Sequence, residues 1–202
     1  MAILQRVLPS LALALALVQC GTTDPRPAEP QSSPRPSDPQ STVEPRSEPG
    51  VGQAFLARMV GEWSVAKTFH GRDGSSASST GECRQTLVHG DRFLLSEFIL
   101  HSKDGDSTGT GLIGFDARSG RFTSFWIDSR STNFSIRQSV SDFDGQKIEL
   151  RGKALEGAPP ARESRTETTL EDGDRRIVHR QFSTTAGQPE RLVMEMVLTR
   201  RG

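Results

Sequence analysis

The strongest constraint on the fold is a series of turn signals that divides the chain after residue 60 into short segments. Most of these signals are Asp-Gly pairs, which favour the positive φ angles of tight hairpin turns. Strands joined by such turns run antiparallel, and a succession of them forms an up-and-down meander. The signals are Asp73-Gly74, Asp104-Gly105, Ser119-Gly120, Asp144-Gly145 and Asp172-Gly173.

Between the turns, apolar residues recur at every second position, as expected for strands with one buried face. The first segment places Trp63, Val65 and Phe69 on one face, and we count about ten such segments in all. Ten antiparallel strands leave exposed edges unless the sheet closes on itself. The sequence therefore predicts an all-β fold, an up-and-down antiparallel barrel of about ten strands. A short helical turn over residues 53–59 is predicted to cap its entrance.

Composition excludes several classes of function. The chain has 25 basic and 25 acidic side chains, so it lacks the positive charge that sequence-independent nucleic-acid binding requires. Its two cysteines cannot form a disulfide framework, and its four histidines are too dispersed to form a dense metal-ligand cluster. We therefore predict no metal, no cofactor and no nucleic-acid partner.

The N-terminus has the features of an export signal. Residues 1–20 combine Arg6 with a short apolar run that is too short to span a bilayer. The run ends at Cys20 in a sequence that resembles the bacterial lipoprotein box, although Gln19 replaces the small residue usual before the lipidated cysteine. We predict an exported lipoprotein, anchored to the membrane through Cys20, in the bacterial periplasm or at the cell surface. An ordinary signal peptide with an incidental cysteine is the alternative.

Residues 21–50 are predicted to form a disordered linker rich in proline and serine. The segment has almost no large apolar side chains, so burial cannot offset the entropy of ordering it. The folded domain is predicted to cover residues 51–202. A domain of this size buries enough surface for one hydrophobic core.

Two motifs resemble catalytic signatures, but both lack the necessary structural context. Residues 105–109 match G-x-S-x-G and residues 109–114 match G-x-G-x-x-G, and each of these motifs functions at a strand-to-helix turn. Here a strand follows both, so no catalytic residue is predicted. His179 lies in the middle of a predicted strand, and we interpret it as a partly buried side chain rather than a haem or metal ligand.

Two resemblances support the barrel. The sequence Gly61-Glu62-Trp63 resembles the G-x-W motif of the calycins, the superfamily that includes the lipocalins. In that superfamily the tryptophan packs across the closed end of the barrel, beneath a basic residue that follows the last strand. The resemblance implies this structural role for Gly61, Trp63 and either Arg200 or Arg201.

The second resemblance, to the bacterial domain-of-unknown-function 1579 family, extends over residues 59–201. It implies a calycin-like barrel, secretion or lipoprotein anchoring in some members, and no settled activity. Its most specific segment is Trp-Ile-Asp-Ser-Arg-Ser-Thr, and the matching segments are residues 90–94, 111–116, 126–132, 194–195 and 199–201.

Polar residues on faces that we predict to point inward suggest a ligand site. Glu97 alternates in phase with apolar residues, as do Asp128 and Gln138. Buried unpaired carboxylates are costly, so these groups should face water, a partner or a ligand. We predict a cavity with aromatic walls, including Trp126. Its mouth is marked by Asp128, Ser131 and Thr132; alternatively, these three residues bond only the backbone of their own turn.

The sequence is compatible with three functions. The first is binding of a small, partly hydrophobic molecule in the barrel. The second is an enzyme in the same cavity with Glu97 or Asp128 as general base, which would require a raised pKa. The third is a structural or interaction domain with a filled interior. The first is our prediction.

Overall fold

The computed structural model describes residues 47–152 and 162–202, which contain one short helix and ten strands. The helix α1 covers Val51–Ala57. The strands are β1 Gly61–His70, β2 Ser76–Val88, β3 Phe93–Ser102, β4 Gly105–Asp116, β5 Arg121–Asp128, β6 Ser135–Gln138, β7 Lys147–Gly152, β8 Arg162–Glu171, β9 Arg176–Thr185 and β10 Arg191–Arg200.

The ten strands form a closed antiparallel barrel in which each strand pairs with its neighbours in sequence. The barrel closes where β1 pairs with β10, with Trp63 opposite Arg200 and Phe69 opposite Met194. The predicted all-β, up-and-down barrel of about ten strands is therefore confirmed. The ten strands of the described residues lie between residues 61 and 200, so residues 21–202 contain the whole of this closed barrel.

The predicted turn signals lie at hairpin connections. The glycines of the four Asp-Gly pairs have φ angles of 83°, 108°, 86° and 60°, and Gly120 has a φ of 68°. Residues other than glycine rarely adopt such φ angles, which explains why glycine occupies these positions. The turns fix the register of their flanking strands, and the register decides which side chains face the interior.

One end of the barrel is closed by α1. Leu56 is fully buried there, and Gln53 Nε2 donates a hydrogen bond of 2.6 Å to the carbonyl oxygen of Phe115. Four phenylalanine rings pack at this end with centroid separations of 4.8 to 6.2 Å. These rings belong to Phe55, Phe115, Phe122 and Phe143.

The position of α1 corrects the prediction that a helical turn caps the entrance. Trp63 Nε1 donates to the carbonyl oxygen of Met59, so the helix lies at the Trp63 end of β1. Phe69 lies six residues further along the strand, about 20 Å away, and is 38% exposed. The helix buries its apolar residues against the closed end, and the open end lies near Phe69.

The predicted signal (1–20) and nearly all of the predicted linker (21–50) lie outside the described residues. Within the described part, no helix is long and apolar enough to cross a membrane.

Candidate ligand cavity

The barrel interior contains a cavity of about 350 Å³. This volume falls within the range of about 300–1,000 Å³ that is typical of small-molecule sites. Most of its wall is apolar and is formed by inward-facing side chains of the strands together with Met59, which lies between α1 and β1. These residues include Met59, Leu94, Phe98, Leu100, Ile113, Trp126, Ile148, Leu150, Ile177, Met194, Met196 and Leu198.

A lysine projects into this apolar space. Lys67 is on β1 between Ser79 of β2 and Met196 of β10, and only 5% of its surface is exposed. Its Nζ lies 4.6 Å from the centroid of the Phe69 ring. The pKa of Lys67 is lowered from 10.5 to about 8, mainly by burial and also by the nearby charge of Arg130, against which the charge of Asp128 raises it. At pH 7 the side chain is therefore a cation held in an unfavourable environment.

A second cation, Arg137, borders the cavity from β6. Its Nε is buried and has no hydrogen-bond partner among the described residues. The side chain lies across Gly152, where a Cβ atom would come within 3.4 Å of Arg137 Cγ. Burial lowers the pKa of Arg137 below its usual value, although an arginine of this kind stays protonated at neutral pH.

Asp128 is the carboxylate of the cavity wall, and it is already paired. Its Oδ2 accepts hydrogen bonds from Trp126 Nε1 at 3.1 Å and from an Arg130 guanidinium nitrogen at 2.9 Å. These bonds, with that of Arg130 first in importance, lower the pKa of Asp128 to about 2. A general base at this position would need a raised pKa, which is the opposite of what Asp128 has.

His179, on β9, also lines the cavity. Its Nδ1 lies 2.8 Å from Thr168 Oγ1 on β8. The ring keeps some accessible surface toward the cavity, but desolvation by the surrounding protein lowers its pKa to about 4. The positive charges of Arg137 and Lys67 contribute to this lowering. The imidazole is therefore neutral at pH 7.

The cavity wall thus carries an excess of positive charge. Lys67, Arg130 and Arg137 are cationic, whereas Asp128 is the one acidic residue among those that line the cavity within the described ranges. The charge of Asp128 lies near enough to Lys67 to raise the pKa of that lysine, but the carboxylate is hydrogen-bonded to Arg130 and Trp126. Within the described residues, neither Lys67 nor Arg137 forms an ion pair with it.

The predicted ligand-binding residues are only partly brought together. Trp126 and Asp128 line the cavity. Ser131 and Thr132 are exposed on the β5–β6 connection and are not part of its lining. The Ser131 hydroxyl accepts a hydrogen bond from the backbone N–H of Asn133 at 3.1 Å, which matches the alternative in which this segment bonds its own turn.

The inward orientation predicted for Glu97 and Gln138 is wrong. On β3 the buried face consists of Leu94, Ser96, Phe98 and Leu100, which leaves Glu97 exposed on the outer face. On β6, pairing places Ser135 opposite the inward-facing Trp126, so Arg137 faces inward with Ser135, and Gln138 faces outward.

The outer face of β6 is apolar because its side chains pack against neighbouring apolar residues outside the barrel. Ile136 pairs with Phe125 of β5, and the Phe125 and Phe134 rings pack with centroids 5.4 Å apart. Ile136 is 53% exposed and Phe134 is 50% exposed. Hydrophobic alternation therefore identified the two faces of this strand correctly but assigned the wrong one to the interior.

The cationic residues were missed in the sequence, although one of them left a signal there. Lys67 lies in phase with Trp63, Val65 and Phe69, so a lysine interrupts a face that was itself assigned correctly. Arg137 gave no such signal, because it alternates in phase with serines.

The Trp126 ring packs against β4 at two glycines, where no side chain occupies the space. A Cβ atom at Gly109 would lie 2.5 Å from the Trp126 ring, and one at Gly111 would lie 3.4 Å away. The Trp126 ring also meets Phe98 in an edge-to-face contact with centroids 5.4 Å apart. Gly109 and Gly111, the first two glycines of the G-x-G-x-x-G match, therefore leave space for the Trp126 ring of the neighbouring strand β5. The G-x-S-x-G match also lies in β4.

The closed end is secured by Trp63 and Arg200. The Arg200 guanidinium carbon lies 4.3 Å from the centroid of the fully buried Trp63 ring. Its nitrogens donate to the carbonyl oxygens of Val60, Arg58 and Asp174 at 2.7 to 3.0 Å. A Cβ atom at Gly61 would lie 2.5 Å from this guanidinium. Of the two candidate arginines, Arg200 therefore occupies this position.

No group of three or more His, Cys, Asp or Glu side chains capable of holding a metal ion occurs in residues 47–152 and 162–202. Cys83 is buried and unpaired, and burial raises its pKa to about 12.

Comparisons with known proteins agree on the fold. The crystal structure of Rv2717c from M. tuberculosis superposes with a TM-score of 0.56 at 18% sequence identity, covering 77% of this chain and all of that one. The S-type phycobiliprotein lyase CPES from Guillardia theta superposes with a TM-score of 0.50 at 10% identity, covering 75% of this chain and 93% of that one. At these identities the likeness concerns the fold alone. No curated protein is significantly similar in sequence.

The sequence relationship is clearer at the level of the family. Residues 48–200 match the family described as "Protein of unknown function (DUF1579)". The match includes α1 and all ten strands of the barrel. This chain therefore belongs to the DUF1579 family.

Proposed function

We propose that the barrel binds a small, partly hydrophobic molecule in its cavity. The observation that carries the proposal is the position of two buried polar atoms without hydrogen-bond partners among the described residues, Gln85 Oε1 and Arg137 Nε. Both residues line the cavity. Such groups are costly to bury and usually have a partner, which here a ligand or water in the cavity would supply.

The shape of the interior supports the same function. A filled barrel would leave no space for a ligand, whereas this one retains about 350 Å³ between apolar walls. Apolar walls with a few placed polar groups are characteristic of small-molecule sites.

The test uses residues 21–202, which include the whole barrel, and the neutral dye Nile red as a probe. Ser124 faces the cavity and Thr123 is exposed on the outer side of the same strand. We expect Ser124→Phe to weaken dye binding by about tenfold or more because the ring fills the cavity. Thr123→Phe adds the same side chain outside the barrel and should leave the affinity unchanged.

Equal affinity of the two variants and the original chain would contradict binding in the cavity, provided that circular dichroism shows intact barrels. Comparison of native and denatured masses provides a second measurement. A small molecule that dissociates only on denaturation would support the proposal directly.

We also propose that the protein is exported and anchored to the membrane through acylated Cys20, as the lipoprotein-like sequence suggests. The test is metabolic labelling with a radioactive fatty acid in a bacterial host. Incorporation into the full chain that disappears in Cys20→Ser is the expected result. Export without labelling would instead indicate an ordinary signal peptide.

A further inference from the structure

We propose that the ligand is an anionic amphiphile of the carboxylic-acid class, whose charged head group is held by Lys67 and Arg137. This inference rests on the proposed function, because it requires that the cavity be occupied. It adds the charge of the ligand and its orientation in the barrel.

The charge of the wall is the first argument. Lys67 is 5% exposed, and the buried Nε of Arg137 has no partner among the described residues. The one carboxylate of the described cavity wall, Asp128, is close enough to raise the pKa of Lys67, but its oxygens are hydrogen-bonded to Arg130 and Trp126 and it forms no ion pair with either cation. Buried cations that lack a counter-ion are strongly disfavoured, and an anionic ligand would supply one.

The positions of the two cations are the second argument. Met196 of β10 pairs with Lys67 of β1 on one side and with the neutral His179 of β9 on the other, and Arg137 lines the same cavity. A neutral imidazole beside two cations adds no repulsion toward them and can donate or accept a hydrogen bond. The wall of the cavity therefore carries Lys67, Arg137 and His179, three groups that can hold a carboxylate.

The gradient of polarity along the barrel is the third argument. Lys67 lies four residues beyond Trp63 on β1, about 13 Å from the closed end. The closed end is lined by buried apolar groups, among them Met59, Leu94 and Leu198. An amphiphile would therefore place its apolar chain toward the closed end and its head group toward Phe69 and the mouth.

The experiment compares three probes with the same twelve-carbon chain: dodecanoic acid, dodecanol and dodecylamine. Each is titrated at pH 7.5 against residues 21–202 by displacement of Nile red. We expect the acid to bind about tenfold or more tightly than the alcohol, and the amine to bind most weakly.

Variants then locate the anion site. Lys67→Met should reduce affinity for the acid to nearly that for the alcohol while leaving alcohol binding unchanged. A merely structural role would instead alter both affinities together. Lys103→Met, at an exposed turn, makes the same substitution outside the cavity and should have no effect. Arg137→Gln is the second variant, with the same expected loss of preference for the acid.

The possible failures are distinguishable. Equal binding of acid and alcohol would overturn the anionic ligand and leave the cavity function standing. Failure of all three probes and of Nile red to bind would overturn both proposals. A preference for the acid that survives in both Lys67→Met and Arg137→Gln would overturn the assigned head-group site.

Discussion

Replacing Lys67 with methionine should stabilise the ligand-free protein. Methionine retains the length of the side chain and removes a charge that is held in a nearly closed interior. Because the pKa of Lys67 falls from 10.5 to about 8 on folding, keeping it protonated at pH 7 opposes folding. The difference corresponds to an upper limit of about 3 kcal/mol, at 1.36 kcal/mol per pH unit.

Two effects reduce this limit. Solvent in the cavity screens the charge, and the contact of Nζ with the Phe69 ring contributes about 0.5–1 kcal/mol in favour of lysine. We therefore expect Lys67→Met to raise the free energy of unfolding by about 1–2 kcal/mol. The corresponding rise in melting temperature is about 2–8 °C for a domain of this size.

Urea denaturation of residues 21–202 at pH 7, with and without Lys67→Met, measures this change. The pH dependence provides an independent check. Between pH 8 and 10.5 the unfolded state binds more protons at this site than the folded state, so the original chain should gain stability as pH rises. The advantage of the variant should therefore shrink over that interval. A variant that is destabilised by about 1 kcal/mol or more at pH 7 would refute the reasoning, because the lysine would then be stabilising the empty barrel.

Three further predictions concern the same interior. Affinity for dodecanoic acid should be constant from pH 6.5 to about 8 and fall above it as Lys67 in the free protein deprotonates; titrations at several pH values should show no such fall in Lys67→Met. Cys83, the one cysteine of residues 21–202, should react with a thiol reagent at least about a hundredfold more slowly in the native protein than in urea, because burial raises its pKa to about 12; comparable rates would contradict its burial. Gly109→Ala should destabilise the protein by about 1–3 kcal/mol because its Cβ would overlap the Trp126 ring. In thermal melts Gly111→Ala, whose Cβ has more room, should cost less.

The architecture was predictable because turns and alternation are local signals. An Asp-Gly pair indicates the positive φ angles of a hairpin turn. The face shared by Trp63, Val65 and Phe69 follows from the two-residue period of a strand. Closure also followed, since ten strands otherwise leave two exposed edges. None of these steps requires knowledge of which distant residues meet.

The site was less predictable because it depends on contacts across the barrel. Period-two alternation separates the faces of a strand, but it does not say which face is inside when both carry apolar groups. Glu97 shares its outer face with Phe93, Leu95 and Ile99, and the opposite face is also apolar. Only the register with neighbouring strands resolves such a case.

The two faces of β6 were assigned the wrong way round because of where this strand lies in the barrel. This strand has four residues, and two register pairs join it to β7. It borders the cavity, so the usual rule that apolar residues face inward is weakest there. The inward-facing Arg137 breaks that rule, as does the buried Lys67. Departures from local rules are expected at functional sites. Here both departures, Lys67 and Arg137, place a positive charge at the wall of the cavity.

The stability of the empty barrel and its expected preference for an anion therefore depend on the same buried charge. A cation with a lowered pKa makes the empty barrel less stable, and the same cation makes an occupied barrel more stable if the occupant is an anion. Lys67→Met separates these effects, since it should strengthen folding of the empty protein while removing its preference for an acid. If Lys67 served only to stabilise the fold, its replacement would lower the free energy of unfolding of the ligand-free protein. The two measurements together therefore distinguish a side chain that builds the barrel from one that serves what the barrel holds.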